Sequence, residues 1–593
     1  MVFSADFETT TTPDDCRVWA WGACEVSKNP CEYHMGNDIN GFMEWCFEQK
    51  NPCLYFHNAK FDTDFIINWL FRNGYEWVES TKGMINKQFT TLISDDGKFY
   101  TMHICNEIVP KRNVIEIRDS QKLLNMSVAK IAKTFKLPDS KLEIDYNEFR
   151  EVGHELTSEE QEYLKADITI VSKALADLFE SGTTRLTIGS NALNKYYEMI
   201  GGRKHFRKIF PKLDVIVDKD IRAAYKGGFT YLNPIYKEVD IAEGLVFDVN
   251  SLYPWAMHSP NVLPYGRPVF FSGQYQPDNM HPLFIQRLRC QFELKPNKIP
   301  MIQLKHNLSF VPTEYLKSSN DQIITLTLTN IDLELFLENY DVYELEYVNG
   351  WKFKGASGMF DQYIDYWTEI KIQATKDKNA GLRAIAKLYL NSLYGKFATS
   401  PYVRNAIPYL GEDGVVHYHK TEYEERDSVY VPIGAFITAI ARNKTIRSAQ
   451  SVYDRYLYSD TDSIHIRGTD IPDCLEVDDY KLGAWKCESK FERARFIRQK
   501  CYIEDEIITE EEYNSKMLEF PYLCRKTENG YRFMKVTVAG LPAGGYKYVT
   551  WDNFRGGAKY GGKLQPKRVA GGTVLNPTTY EIKSVDKAPL VIL

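Results

Sequence analysis

The sequence has no C-x-x-C pair among its eleven cysteines, and their number is odd. Neither a structural zinc site nor a paired disulfide framework is expected; reduced thiols in a cytosolic compartment are. Long apolar runs are also missing. The longest, Val431 to Ala441, is too short to cross a bilayer, so no membrane partner is expected. The start, Met1-Val2-Phe3-Ser4-Ala5-Asp6, lacks the basic residues and apolar core of a signal peptide. Positive charge is not in excess either. A net charge of −6 excludes a simple basic coat for nucleic acid. It does not exclude nucleic acid itself, because carboxylate-rich sites offset basic grooves in the total. What is present is a chain of 593 residues, 44% hydrophobic and 26% charged, enough for several large cores and about four domains. Its 39 Tyr and 32 Phe suit stacking on bases and sugars, although they are ordinary core residues too.

Acidic residues recur in short, chemically restricted strings. Tyr458-Ser459-Asp460-Thr461-Asp462-Ser463 lies between Tyr456-Leu457 and Ile464-His465-Ile466, which predicts a tight turn joining two short buried strands. Asp460 and Asp462, at i and i+2, point the same way in extended chain. Crowded carboxylates are costly unless a cation shares them, and oxygen ligands suit Mg²⁺ or Mn²⁺. A bare D-x-D is more often a solvated acidic turn, but such a turn has no need of apolar and aromatic flanks. A third carboxylate, Asp248, ends the apolar strand Gly244-Leu245-Val246-Phe247 and opens Asp248-Val249-Asn250-Ser251-Leu252-Tyr253-Pro254. At the N-terminus, Asp6 and Glu8 share one side of a strand. Tyr55-Phe56-His57-Asn58-Ala59-Lys60-Phe61-Asp62 follows, and then Tyr163 and Asp167, at i and i+4 on a helix opened by the capping box Thr157-Ser158-Glu159-Glu160. Four carboxylates of this kind can hold two divalent ions about 3.5–4 Å apart.

Phosphate and base ligands are suggested elsewhere. Residues 360–397 read as two helices. The second presents Lys387, Asn391 and Tyr394 at i, i+4 and i+7, a cation, an amide and a ring on one face; Lys371 on the first is a phosphate ligand or a surface lysine. The basic run 201–213 tracks phosphates or forms a solvated helix face. Tyr225-Lys226-Gly227-Gly228 has paired glycines that allow close backbone approach. Val431 to Arg442 reads as a buried helix, and Gly411-Glu412-Asp413-Gly414 as a hairpin turn.

Together these strings resemble a family. D-x-E, N-x-x-x-D and Y-x-x-x-D, in that order, match the three motifs of DEDD-type 3′–5′ exonucleases. D-x-x-S-L-Y-P resembles motif A of family B DNA polymerases, and Lys387-Leu388-Tyr389-Leu390-Asn391-Ser392-Leu393-Tyr394-Gly395 resembles motif B. Lys500-Cys501-Tyr502 resembles the K-x-Y that grips a primer end. Extra segments on both sides of motif B make the chain similar to the protein-primed branch of that family, over nearly its whole length.

The resemblance implies a multidomain α/β fold: an RNase H-like 3′–5′ exonuclease domain and a right-hand polymerase of palm, fingers and thumb with two insertions. The implied divisions are 1–187 exonuclease, 188–260 palm, 261–356 first insertion, 357–398 fingers, 399–426 second insertion, 427–535 palm and 536–593 thumb. Two Mg²⁺ (or Mn²⁺) ions are implied at each site. Asp248, the Val249 carbonyl, Asp460 and Asp462 would serve one, and Asp6, Glu8, Asp62 and Asp167 the other, with Glu143 a further ligand. Tyr163 would orient the attacking water and Lys141 would stabilise charge at the scissile phosphate. Ser251, Leu252, Tyr253, Lys371, Lys387, Asn391 and Tyr394 would bind the nucleotide, Tyr253 excluding a 2′-hydroxyl. Thr9, His57, Asn58, Phe61, Ser120, Tyr225, Gly227, Gly228, Ser392, Gly395, Lys500 and Tyr502 would contact DNA, His57 having a purely structural role as its rival. Implied partners are primer–template DNA, the displaced single strand, dNTPs and a terminal protein as primer, for a monomeric phage enzyme in the cytoplasm of a bacterial host. Three rivals are a DNA-primed family B polymerase, a nuclease needing only residues 1–187, and a non-catalytic binding protein. The last should have lost carboxylates, and none is missing.

Overall fold

Strand Val2–Thr9 is buried along most of its length, as a strand covered on both faces must be. It pairs antiparallel with Val18–Glu25 and parallel with Cys53–Phe56 inside an eight-stranded mixed sheet. Helix Lys60–Arg72 leaves the end of Cys53–Phe56. Helix Ser158–Glu180 packs across Val2–Thr9 and Val18–Glu25, and its first turn is closed by the expected capping box between Thr157 and Glu160. The computed structural model describes residues 1–108, 111–138, 142, 144–145, 148–303 and 315–583.

A second sheet carries the acidic turn. Its central strand, Gly244–Val249, pairs with Ser463–Arg467 on one side and Trp485–Arg498 on the other. The expected hairpin is there: Tyr456–Asp460 and Ser463–Arg467 pair antiparallel around Thr461-Asp462. Strands Cys501–Ile508 and Gly530–Val538 extend the sheet beyond Trp485–Arg498. Helix Val431–Ser451 packs against this hairpin. It is longer than the sequence pattern suggested, which ended it at Arg442. Arg442 is only 4% exposed, and the helix continues past it. Its guanidinium is held by both oxygens of Asp332 (2.9 and 2.7 Å) and donates to the carbonyls of Lys226 and Gly227 (2.9 Å each).

The two helices expected over 360–397 are Asp361–Lys376 and Ala380–Phe397, the second capped by the Asn379 side chain. Within 261–356, strands Leu263–Ser272, Tyr340–Ala356, Leu283–Leu294 and Ile324–Thr329 form a separate four-stranded sheet. Helix Asn330–Asn339 links the last of these in sequence to Tyr340–Ala356 and brings Asp332 to Arg442. Two further hairpins reach back to the N-terminal unit. Ala406–Leu410 with Val416–Lys420 turns at Gly411-Glu412-Asp413-Gly414, as expected, and Lys559–Val569 with Gly572–Glu581 closes the described chain. All eleven cysteines are free. Among the described residues no helix is long and apolar enough to cross a membrane.

Candidate active sites

The acidic turn is held from several directions. Thr461, at φ +63°, donates its N–H to the Phe229 carbonyl (2.7 Å), and its own carbonyl accepts from Thr445 Oγ1 (2.8 Å). Val249 N donates to the Asp462 carbonyl (2.8 Å), and Asp248 sits opposite Ser463 in the register. The three carboxylates therefore line one open cleft of about 390 Å³ with Thr461, Ser463, Tyr502 and Lys500. Burial, and then the neighbouring Asp462 and Glu488, push the Asp248 carboxyl up to about 7. Burial also raises Asp462, with Asp460 and Glu488 adding to it. Lys500 Nζ lies 2.7 Å from both oxygens of Asp460, and its backbone N–H donates to Tyr458 Oη (2.9 Å). Tyr502 is buried against Tyr458, Phe496 and His465.

Opposite the acids stands the helix face expected from the sequence. Lys387 and Asn391 are exposed and Tyr394 is half-buried, its ring stacked on Tyr253 at 4.0 Å and 19°. Lys387 is near enough to Asp248 and Asp462 to favour their ionised forms. Lys371 belongs to the same group. Burial first, then Arg383 and Lys387, lower its ammonium pKa, so it is not an isolated surface lysine. Ser251, at φ +56°, precedes the short helix Leu252–Met257, and Leu252 is buried. Ser392 is half-buried and Gly395 is exposed on the motif-B helix.

A second carboxylate group forms in the N-terminal unit. Asp6 and Glu8 share strand Val2–Thr9, Asp62 stands in the first turn of Lys60–Arg72, and Tyr163 and Asp167 lie buried on Ser158–Glu180. Burial, then Asp6, raises the Asp62 carboxyl well above its ordinary value, with Glu8 and Asp119 adding to the effect. His57 is gripped at both ring nitrogens, Nδ1 by Ser120 Oγ (2.9 Å) and Nε2 donating to the Met126 carbonyl (2.7 Å). Ser120 is fully buried and also donates to the Phe56 carbonyl (3.0 Å). Both side chains thus have partners within the N-terminal unit. Thr9 and Phe61 are half-buried, Phe61 edge-on to Phe65, and Asn58 is exposed at φ +65°. Lys141 and Glu143 lie outside the described residues.

Comparison with known proteins shows the family. The family described as DNA polymerase type B, organellar and viral, matches residues 43–479. The DNA polymerase of Bacillus phage B103 is 47% identical over 585 residues, covering 98% of this chain and 99% of its own length. That of Bacillus phage phi29 is 46% identical over 587 residues at the same coverage. The chain belongs to the phi29-type family B DNA polymerases. The solved structure of phi29 DNA polymerase with primer-template DNA superposes with a TM-score of 0.90 at 45% identity, over 98% of this chain and 100% of that one. The ternary complex with primer-template DNA and incoming nucleotide gives 0.88. The fold is thus that of a multidomain α/β polymerase with exonuclease and polymerase domains.

Both acid groups of the polymerase have the hard oxygen donors that Mg²⁺ takes, and the raised carboxyls are the strain a cation would relieve. Among the described residues, however, no three His, Cys, Asp or Glu side chains stand ready as a cage for an ion. At the polymerase cleft Lys500 takes both oxygens of Asp460. Sequence reasoning missed three residues here. Glu488 reaches the cleft beside a bulge in Trp485–Arg498, where the register with Gly244–Val249 shifts. Lys535 enters it from Gly530–Val538. Asp119, buried, accepts from the N–H groups of Asn58 and Gln121 (3.1 and 2.9 Å) and so shapes the loop before Asp62. A lone charged residue in a strand carries no local sequence signal; only the third, next to Ser120, lay in a stretch already of interest.

Proposed function

We propose that this DNA polymerase replicates a linear genome from a terminal-protein primer. It would do so processively and with strand displacement, and proofread with a 3′–5′ exonuclease in the cytoplasm of a bacterial host. The observation that carries the reading is the pair of separate carboxylate groups in one chain, one facing a cationic helix face and one in the N-terminal sheet. The sheet and helix described within 261–356 and the hairpins within 399–426, where the protein-primed branch has its insertions, support protein priming over a DNA-primed relative.

In the polymerase cleft, Asp248, Asp460, Asp462 and the Val249 carbonyl would hold Mg²⁺, as Asp6, Glu8, Asp62 and Asp167 would in the exonuclease. When bound, the ions lower the pKa of the attacking hydroxyl or water and neutralise charge on the leaving oxygen. The chain's own residues do the rest. Lys387, Lys371 and Arg383 present positive charge to a triphosphate. Tyr253, braced flat against Tyr394, bars a 2′-hydroxyl by its bulk. Lys500 exchanges Asp460 for a primer phosphate as DNA enters, and Tyr502 underlies the primer end. Tyr163 orients the hydrolytic water.

Asp248→Ala is expected to abolish nucleotide addition and spare degradation of single-stranded DNA, and Asp6→Ala to do the reverse. One substitution removing both activities from a folded protein would refute the two-site assignment. Incubation with labelled dATP, Mg²⁺ and a candidate terminal protein should yield a covalent protein–dAMP adduct; extension of DNA primers only would favour the DNA-primed reading.

A further inference from the structure

Asp62 is followed two residues later by Asp64, the same D-x-D spacing as in the acidic turn. On a helix, two residues are about 200° apart, so the two carboxylates face opposite ways. Asp62 looks toward Asp6 and Glu8. Asp64, 4% exposed, looks away from them and into a junction of three chain segments. Tyr418 Oη, from the hairpin in the second insertion, donates to Asp64 Oδ1 at 2.7 Å. Thr573 Oγ1 and Arg568 Nε, from the C-terminal hairpin, donate to Oδ2 at 2.6 and 3.2 Å. The Arg568 guanidinium also covers the Tyr418 ring at 4.3 Å, so the two hairpins touch each other across the carboxylate.

The surrounding contacts follow the same plan. Asn68, one turn on from Asp64, donates to the Gly414 carbonyl at the hairpin tip (3.1 Å). A Cβ on Gly572 would overlap the Phe65 ring, so the C-terminal hairpin lies close on this helix. Asp95 and Arg404 add an ion pair at 2.8 Å between the N-terminal unit and the second insertion. The C-terminal hairpin grows out of the sheet that carries Gly530–Val538, and the other hairpin leads into helix Val431–Ser451 beneath that sheet. Both hairpins meet on one helix of the exonuclease domain. The C-terminal hairpin has no Asp or Glu between Phe554 and Tyr580, and Lys559 and Lys567 are exposed on it. That composition suits a phosphate backbone.

We propose that Asp64 is a positioning residue whose single carboxylate latches the thumb hairpin and the second-insertion hairpin to the exonuclease helix, closing a ring that retains duplex DNA. The proposal rests on the reading of residues 536–593 as a thumb on DNA. Asp64 touches no reacting group; it sets how long the enzyme stays on one molecule.

The test is extension of a primed long single strand with excess competitor DNA added at the start, so that each product reports one binding event. Asp64→Ala removes the acceptor for three donors. It is expected to shorten the product about tenfold, the weight of one charge-assisted hydrogen bond in an open–closed equilibrium. Single-nucleotide addition at saturating primer–template and single-strand degradation should stay within about twofold. Thr573→Val and Tyr418→Phe each remove one donor and should shorten products less. Asp64→Asn keeps one acceptor oxygen for Tyr418 but turns an N–H₂ donor toward Thr573 and Arg568, so it should recover only part of the length. Product length unchanged in Asp64→Ala would overturn the proposal. So would a parallel loss of single-nucleotide addition in Asp64→Ala and Thr573→Val, since the residue would then support the fold at large. Wild-type enzyme that dissociates after each nucleotide would instead overturn the thumb reading on which the latch rests.

Discussion

Gly227 and Gly228 look alike in the sequence, and the structure separates them. A Cβ built on Gly227 meets nothing within 4 Å, whereas one on Gly228 would lie 2.6 Å from Thr461 Oγ1 and 2.7 Å from its Cγ2. Thr461 is β-branched, with little rotamer freedom, and its backbone is tied at both ends, to Phe229 and to Thr445. The side chain cannot step aside without moving the turn. Gly228→Ala should therefore cost about 1–3 kcal/mol of overpacking and shift Asp460 and Asp462 together. A misplacement of about 1 Å at reacting groups can cost about 10²-fold in rate. We expect single-turnover nucleotide addition to fall by about that factor in Gly228→Ala while single-strand degradation holds. Gly227→Ala should remain within about twofold of wild type. Adding Thr461→Ala to Gly228→Ala removes both clashing atoms and should restore part of the rate. If Gly227→Ala is as damaging as Gly228→Ala, with DNA affinity falling in both, the glycines serve DNA contact and the packing argument is wrong.

Two further predictions concern stability. Burial alone would raise the Glu160 carboxyl, but Arg150, the Thr157 N–H and His154 outweigh it and hold the group at about 2, against an ordinary 4.5. A depressed carboxyl contributes stability that is complete above its unfolded pKa and lost as pH falls through the folded one. About 3 kcal/mol should thus disappear between pH 4.5 and about 2; denaturant midpoints should show Glu160→Gln to be less stable at neutral pH with a flatter acid limb, and an unchanged limb would contradict the assignment. Arg442→Leu leaves Asp332 buried without its bidentate partner and should destabilise by about 3–5 kcal/mol. Arg442→Leu with Asp332→Leu should be less destabilised than the single variant, a comparison readable by thermal unfolding.

The carboxylates of both sites were legible because their chemistry admits few residue types at short, fixed spacings. Asp248 ends a strand, Asp460 and Asp462 flank a turn residue at positive φ, and Tyr163 and Asp167 share a helix face. Local geometry places each of these side chains, and the order of the motifs, with the family they resemble, supplied their proposed role. Gly228 was legible as a site of close approach, but what it approaches lies far along the chain. Asp64 and Glu488 were not legible. Each is one charged residue in a regular element, and its meaning comes from neighbours that only the fold supplies. The helix from Val431 runs past Arg442 for the same reason: the partner that buries the guanidinium, Asp332, lies far along the chain.

Net charge is an average over opposed surfaces. An overall −6 left an anionic substrate open, and the cleft is not uniformly anionic. Its acids lie on the sheet, while Lys371, Arg383 and Lys387 gather on the facing helices. Charge separated in this way lets one wall collect cations and the other collect phosphates, which a polymerase needs at once. Lys500 sits at the seam. With its ammonium on Asp460, it quiets one acid until a phosphate or a metal competes for the pair. Lys500→Met should then weaken primer binding through the lost phosphate contact, but it should also remove that competition. Mg²⁺ titration at saturating primer can tell these apart. A lower Mg²⁺ requirement alongside weaker primer binding is expected, and an unchanged requirement would mean that the Lys500–Asp460 pair does not persist in the working enzyme.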